Sequence, residues 1–155
     1  MYKDLYIFDA LGNHIIESDQ IRWGEWYQTA NRIIKTTVYP WQKKELKVST
    51  VFLAIDDNFS EFGGPILYET MLFGCASLIA TLAELSERYE KIGNGYTPEI
   101  LERYSTRTEA EKGHQRMCTF IEVCLHRITQ EIIQKENQAF NLNGNKLLND
   151  VEREA

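Results

Sequence analysis

Residues 45–56 carry the sequence pattern that most constrains the fold. The side chains alternate between two sets, Leu46, Val48, Thr50 and Phe52 on one side and Lys47, Ser49, Val51, Leu53 and Ile55 on the other. A period of two residues predicts a β-strand, because successive side chains of a strand point to opposite faces. The second half of the segment is apolar on both faces, which is typical of a strand covered on both sides. We therefore expect this strand in the middle of a sheet.

Other segments with strand-like patterns lie on either side of this one along the chain. Residues 5–8 and 14–16 flank a turn that contains Gly12 and Asn13, two residues that accept the positive φ angles of tight turns. They therefore predict a β-hairpin. Three further strands are predicted: 32–39, joined to 45–56 around Pro40-Trp41; 66–73; and an edge strand at 101–104.

Two helices are predicted between these strands. Ser18 is the expected N-cap of the first helix, whose aromatic side chains at positions 23, 26 and 27 recur at helical spacing and are interpreted as core. The second helix is predicted over 77–92, where apolar residues have helical spacing and Gly93 follows as a C-terminal stop.

A third and longest helix is predicted near the C-terminal end. Thr106 and Glu109 form a capping box at its start, and its apolar stripe includes His114 and continues to Ile132. Residues 137–155 are rich in Asn and Gln and are expected to form a polar C-terminal tail with a turn or two of weak helix. The sequence therefore predicts one α+β domain over residues 1–136. Its mostly antiparallel, twisted sheet has five or six strands, and three helices pack on it.

The charge balance argues against nucleic acid as a partner. The chain of 155 residues carries 17 basic and 23 acidic side chains, a net charge of −6, whereas affinity for phosphate backbones comes largely from clustered Lys and Arg. No apolar run approaches the roughly 20 residues that a membrane span requires. The N-terminus lacks the apolar region of a signal peptide. We therefore expect a cytoplasmic protein without nucleic-acid or membrane partners.

The three cysteines, Cys75, Cys118 and Cys124, cannot all pair within one chain. Cys118 and Cys124 lie six residues apart on one predicted helix, and the rise of about 9 Å between them is too long for a disulfide. No CxxC motif occurs, and three scattered thiols do not make a zinc site. We expect buried, reduced cysteines, and neither a metal nor a cofactor.

Two polar residues stand where the pattern calls for apolar ones. Glu69 is assigned to the strand face that also carries Leu67, Met71 and Phe73, and His114 falls on the apolar stripe of the long helix. A carboxylate and an imidazole that face each other would suit general acid–base chemistry or a polar ligand site. The alternatives are a paired or solvent-facing acid at Glu69 and a core histidine with satisfied hydrogen bonds at His114.

Further candidates are Asp56 at the end of the central strand and Arg103 just before the capping box. Strand ends often collect functional groups, although Asp is also common there because it stabilises turns. An arginine near a helix N-terminus suits an anionic ligand, and a surface ion pair with Glu102 or Glu109 is the alternative. Asp56, Glu69 and His114 have no diagnostic metal spacing. No nucleotide-binding, hydrolase or metalloprotease motif is present.

Several short blocks occur together in an order typical of a known family. The blocks are VSTVFL at 48–53 with Asp56, Gly64-Pro65, YETM at 68–71 with Gly74, RYST at 103–106, Glu109-Ala110 and Gly113-His114. Over roughly positions 20–120 they resemble a family of small, uncharacterised proteins encoded by bacteriophages and prophages. The resemblance implies a phage accessory gene and no specific activity. It singles out Glu69, Thr70, Arg103 and His114.

The chain departs from this family at three places. Glycine is more usual in the family at position 54 and histidine at position 57, where this chain has Ala54 and Asp57. Family members also connect the glycine at position 74 to the RYST block by a short loop, whereas a whole helix is predicted here over 77–92.

The sequence favours a non-enzymatic phage accessory or host-interaction protein. It would sequester a small host ligand or inhibit a host defence protein, with Asp56, Glu69, Thr70, Arg103 and His114 as candidate ligand-binding residues. One alternative is a small enzyme that uses Glu69 and His114 as an acid–base pair, and another is a virion or assembly component. The apolar stripe of the long helix exceeds what one small sheet needs, so we also expect a homo-oligomer, most simply a dimer.

Overall fold

A computed structural model of the chain describes residues 3–41, 43–60, 62–74, 80, 82 and 101–153, with side chains up to residue 140. The chain divides into two compact units, residues 1–119 and 120–155. The expected division into a domain at 1–136 and a tail at 137–155 stays a prediction.

Six strands and two helices form the described part of the chain. They are β1 (Tyr6–Phe8), β2 (His14–Ile16), α1 (Gln20–Thr29), β3 (Ile33–Trp41), β4 (Lys44–Phe52), β5 (Tyr68–Gly74), β6 (Leu101–Tyr104) and α2 (Arg107–Arg153). Every strand pairing is antiparallel, so the prediction of an antiparallel α+β fold is confirmed. The helix predicted over 77–92 lies outside the described residues, apart from Ala80 and Leu82, which are both helical.

The strands form two sheets, whereas a single sheet was predicted. β1 and β2 make a two-stranded sheet, and the other strands make a second sheet in the order β3-β4-β5-β6. Ala54 explains the separation, because its φ of 65° turns the chain away from the ladder just after β4 ends. Beyond this turn one isolated backbone bridge joins Leu5 to Ile55, and the backbone N–H of Tyr6 donates to the Ala54 carbonyl.

The position of β4 confirms the expectation of a central strand, with β3 and β5 on its two sides. The predicted set Leu46, Val48, Thr50 and Phe52 is completely buried, and we call this side of the four-stranded sheet the inward face. Pro40 lies in β3, which has no partner strand on its other side among the described residues. A proline is tolerated there because an edge strand does not need its N–H for pairing.

Two aspartates fix the local structure before β3. Asp9 accepts hydrogen bonds from the backbone N–H groups of Leu11 and Asn13, which stabilise the β1–β2 turn. Asp19 is the N-cap of α1 and accepts from the N–H groups of Ile21 and Arg22. The prediction of Ser18 as the cap is therefore wrong by one residue, since both side chains are good caps and only the backbone decides between them.

The core of the first unit is largely aromatic. Its buried cluster comprises Tyr6, Phe52, Ala54, Leu67, Tyr68 and Ala110. Phe8 stacks on Phe52 at 4.3 Å, and Trp26 meets the same ring edge-on at 6.1 Å. Trp23 and Tyr27 also pack against the cluster, which confirms that the aromatic stripe of α1 contributes to the core.

The long helix α2 begins as predicted. The Oγ1 atom of Thr106 accepts from the N–H of Glu109, and the Glu109 carboxylate accepts from the N–H of Thr106, which is a reciprocal capping box. Within the first unit, the buried positions of α2 are Ala110, Gly113, His114, Met117 and Cys118. Their spacing of three and four residues gives the single apolar stripe of an amphipathic helix.

In the second unit α2 continues to Arg153. The segment from residue 137 is therefore helical over most of its length, where only a turn or two was expected. Cys118 and Cys124 are buried free thiols, as predicted, and burial raises the pKa of Cys124 to about 11. Cys75 lies outside the described residues. Neither described helix has a stretch long and apolar enough to cross a bilayer.

Candidate functional site

A chain of buried polar side chains crosses the inward face of the four-stranded sheet. Nε2 of His114 lies 2.9 Å from Oγ1 of Thr37, and Nδ1 of His114 lies 2.8 Å from Oγ1 of Thr50. Oγ1 of Thr50 lies in turn 2.7 Å from Oγ1 of Thr70. The strand register explains this meeting, because Thr50 and Thr70 are direct partners on β4 and β5 and such partners face the same side of a sheet.

Tyr104 extends this polar chain to the edge strand β6. Its hydroxyl donates a hydrogen bond to the carboxylate of Glu102 and lies close to the hydroxyl of Thr70. Oε2 of Glu102 also lies 3.7 Å from Nη2 of Arg116. Burial, together with the hydrogen bond to Glu102 and its negative charge, raises the pKa of Tyr104 far above its usual value. Tyr104 therefore keeps its proton at neutral pH and remains a donor.

The hydrogen bonds of the polar chain have one consistent direction. Tyr104 donates its only proton outward to a carboxylate, which in its ionised form can only accept. If Thr70 donates to the nearby Tyr104 hydroxyl, it accepts from Thr50. Thr50 would then accept from Nδ1–H of His114, and Nε2 of His114 would accept from Thr37. This order of donors and acceptors predicts the neutral Nδ1–H tautomer for His114.

The surroundings of His114 disfavour its charged form. Burial is the larger cause that lowers its pKa below the ordinary value of 6.5, and the positive charge of Lys35 lowers it further. Both hydrogen-bond partners, Thr37 and Thr50, are neutral hydroxyls. His114 is therefore neutral at pH 7 and holds together strands β3 and β4. This is the satisfied core histidine that the sequence left open as an alternative.

Glu69 lies on the opposite face of the sheet from His114. It precedes Thr70 in β5, so its side chain points away from the inward face. There Oε2 of Glu69 is 3.2 Å from Nε of Arg103, and Nη1 of Arg103 is 3.0 Å from Oδ2 of Asp57. The structure gives Glu69 an arginine partner, and the expected meeting of Glu69 with His114 does not occur.

Asp56 stabilises the loop that follows β4. Its Oδ1 atom accepts from the backbone N–H of Asn58 at 2.8 Å and from that of Ile66 at 2.9 Å. The side-chain amide of Asn58 then donates to the carbonyls of Phe62 and Gly64. Asp56 therefore joins the two ends of the loop at residues 56–66, which is a structural role like the one that Asp often has at strand ends.

A cleft of about 350 Å³ opens where β6 meets the first turns of α2. Its lining comprises Arg103, Tyr104, Ser105, Glu109, Lys112 and Arg116. Three of these residues are cationic and one is acidic, and the guanidinium of Arg103 is directed to Glu69 and Asp57 on the opposite face. The acidic residue, Glu109, is already engaged by the capping box. The cleft therefore offers positive charge beside the end of the buried polar chain.

Only part of this arrangement was predicted. Arg103 lines the cleft, and Thr70 and His114 belong to the polar chain, whereas Glu69 lies on the other face of the sheet and Asp56 in the loop after β4. Sequence reasoning missed Lys112 and Arg116, which are separated by one helical turn on the polar side of α2. Their i, i+4 spacing beside the RYST block was the signal that could have identified them.

The geometry provides no convergent metal site in the part of the chain that is described. No group of three or more His, Cys, Asp or Glu lies close enough there to hold an ion. The chain matches no protein-family model, no curated protein and no solved structure.

Proposed function

We propose that this chain is a non-enzymatic phage accessory protein that holds a small anionic ligand in the cleft between β6 and α2. The observation that carries the proposal is that the cationic residues Lys112 and Arg116 lie one helical turn apart in the lining of one cleft of about 350 Å³, beside Arg103 of β6. That volume suits a small molecule. The phage assignment rests on the sequence blocks, two of which include residues of this cleft.

The charges of the cleft favour an anion although the whole chain is acidic. Arg103 is neutralised in part by Glu69 and Asp57, and Arg116 by Glu102. Lys112 makes no ion pair with any described residue. Its ammonium group is therefore available, and a bound carboxylate or phosphate group would gain charge-assisted hydrogen bonds. A protein with a net charge of −6 otherwise repels anions.

Titration calorimetry with a defined set of anions tests the proposal. The set is inorganic phosphate, citrate and a nucleoside monophosphate, and the variants are Lys112→Ala and the control Lys43→Ala. Lys43 is an exposed lysine near the β3–β4 turn, far from the cleft lining. We expect at least one anion to bind, with an affinity about tenfold lower in Lys112→Ala and unchanged in Lys43→Ala. Equal affinities in the two variants would contradict the proposal.

The small-enzyme alternative depends on Glu69 and His114 acting together. Their placement on opposite faces of the sheet gives this alternative no support, and no histidine is among the described residues that line the cleft. Product formation from a host metabolite mixture would nevertheless restore it. Detection of the protein in purified virions would favour the role of a virion or assembly component, for which no feature of the described structure argues.

We further propose that the chain acts in the host cytoplasm as a homo-oligomer, most simply a dimer. The second unit supports self-association, because Ile132, Ile133 and Phe140 on α2 are 37%, 44% and 78% exposed. Light scattering should give a mass near twice the 18.1 kDa of one chain, and Ile133→Glu should reduce it to that of the monomer. A monomeric mass at all concentrations would exclude the dimer. We also propose a host protein as an additional partner, a proposal that is as untested as the dimer.

A further inference from the structure

A second cleft lies at the N-terminal end of α1, in the first unit. It has a volume of about 630 Å³, and its lining includes the apolar residues Leu5, Ile16, Trp23 and Ile55. Ile16 is 62% exposed although it belongs to β2. Apolar surface that stays open in a cleft of this size is typical of small-molecule sites, which have mostly apolar linings and a few polar groups.

Trp23 forms a fixed wall of this cleft. Its indole Nε1–H donates to the carbonyl of Ala54 at 2.8 Å, and its ring lies 4.7 Å from that of Tyr27. Two contacts on different sides of the ring hold it in one orientation. A ligand that packs against this ring would therefore not have to immobilise it, which lowers the entropic cost of binding.

Gly24 lies beside Trp23 in the interior of α1 and also lines the cleft. Apart from proline, glycine is the least favourable residue inside a helix, so such a position needs an explanation. Packing within the chain does not supply it, because a Cβ atom at Gly24 would meet no described atom within 4 Å. The missing side chain leaves the helix surface bare where it faces the cleft, and a bound molecule would use that space.

The charges at the rim indicate the kind of ligand. Lys3 is occupied by an ion pair with Asp57 and by the ring of Phe59. Glu17 is paired with Arg22 at 3.3 Å. Asp4 is exposed and forms no ion pair with any residue of the described ranges. The rim therefore presents a carboxylate, and it complements a cation.

We propose that this cleft is a second ligand site, for a small aromatic amine whose flat ring packs over Gly24 beside Trp23 and whose ammonium group meets Asp4. The site shares no lining residue with the anion cleft, and it is proposed to bind a cation. It is independent of the function proposed above.

NMR titration with two probes of the same ring and opposite charge tests this site. The probes are tryptamine and indole-3-acetate, and the signals are the Trp23 indole N–H and the backbone amides of Leu5, Ile16 and Gly24. We expect tryptamine to shift these signals in the millimolar range and indole-3-acetate to bind about fivefold more weakly or not at all. No shifts with about 5 mM tryptamine, or equal affinities for the two probes, would overturn the proposal.

Two variants connect the binding to the named residues. Gly24→Ala should raise the melting temperature by about 3 °C, since alanine favours the helix, while it weakens tryptamine binding about tenfold by filling the cleft. Gln28→Ala, an exposed change in the same helix, should leave the affinity unchanged. Asp4→Asn should remove the preference for the amine. A Gly24→Ala protein that is more stable and still binds tryptamine normally would refute the role of Gly24, and with it the site.

Discussion

The side chain of Tyr104 occupies the space that a Cβ atom at Gly113 would fill. A methyl group built on Gly113 would overlap the hydroxyl oxygen and the Cζ atom of Tyr104. Glycine at this position therefore allows α2 to approach β6 closely enough for the Tyr104 hydroxyl to reach both Thr70 and Glu102. The contact links the Gly113-His114 block to the RYST block, and it places the polar chain beside the anion cleft.

The first prediction concerns this contact. Gly113→Ala should destabilise the fold by about 2 kcal/mol, because overlap with a buried ring outweighs the gain of about 1 kcal/mol from better helix propensity. Urea unfolding measures the difference. In a Tyr104→Ala background the same change should become neutral or stabilising, since the obstacle has been removed. A Gly113→Ala protein that is more stable than the parent would show that helix and strand separate at no cost.

The second prediction concerns the tautomer of His114. The ¹⁵N chemical shifts of the imidazole should show a protonated Nδ1 and an unprotonated Nε2 at pH 7, because in the predicted order Thr50 accepts from Nδ1–H and Thr37 donates to Nε2. Thr50→Val keeps the shape and removes the acceptor, and it should cost about 1–3 kcal/mol of stability. An Nε2–H tautomer in the unmodified protein would contradict the assigned direction of the polar chain.

The third prediction is a pH dependence of stability. The pKa of His114 is lowered in the fold from its ordinary value of 6.5. The unfolded chain therefore binds a proton first as the pH falls, and stability is complete above about pH 6.5 and decreases below it. The slope contributed by this group is at most about 1.4 kcal/mol per pH unit. Unfolding at pH 7.5 and 5.5 should show a smaller loss in His114→Gln than in the parent, and equal losses would exclude His114 as the cause.

The fourth prediction concerns Glu69. Its partner Arg103 is partly exposed, with 41% of its side chain accessible, against 16% for Glu69. Solvent weakens such a pair, so Glu69→Gln should cost only about 0.5–1 kcal/mol. The double variant with Arg103→Gln should show a coupling energy of similar size. A loss of 3 kcal/mol or more, the magnitude that a buried charged pair gives, would indicate a different partner.

The fifth prediction concerns Ala54. It is fully buried and has a φ of 65°, a conformation that glycine adopts without strain. Ala54→Gly should leave stability within about 1 kcal/mol of the parent, because strain relief offsets the lost methyl burial and the added chain entropy. Ala54→Val should cost more than about 2 kcal/mol, since a branched side chain is worse in this conformation. Thermal unfolding of both variants decides the point. Similar stability in the two would mean that the backbone angle is not a constraint.

Ala54 also shows what could be predicted from the sequence. The proposed resemblance to a phage family implies glycine at this position, and a positive φ is a reason for such a preference. The sequence could not show that this turn would divide the strands into two sheets, because the hydrophobic pattern does not depend on the φ angle of an alanine. The central strand and the capping box were predictable because they depend on local spacing alone.

The main wrong prediction concerned which face of β5 is buried. Leu67, Met71 and Phe73 look like a core face, and Glu69 was assigned among them as an exception. The buried side of the strand instead carries Tyr68, Thr70 and Leu72, and Leu67, which is also buried, precedes the strand. Both sets are largely apolar, and a shift of one residue exchanges them completely. His114 was correctly identified as a polar residue on a buried stripe, but its threonine partners are common strand residues and gave no signal of their own.

The order of donors and acceptors in the buried polar chain links the His114 tautomer to the hydroxyl groups of the neighbouring strands. Each hydroxyl has one proton to donate, so no member of the chain can reverse unless every member reverses. Two arrangements satisfy the contacts among Thr37, His114, Thr50 and Thr70, and they differ in the donor of each hydrogen bond. In the second arrangement Nδ1 of His114 accepts from Thr50, and the ring proton is on Nε2, toward Thr37. The tautomer of a histidine on α2 is therefore tied to the orientation of hydroxyl groups on three neighbouring strands.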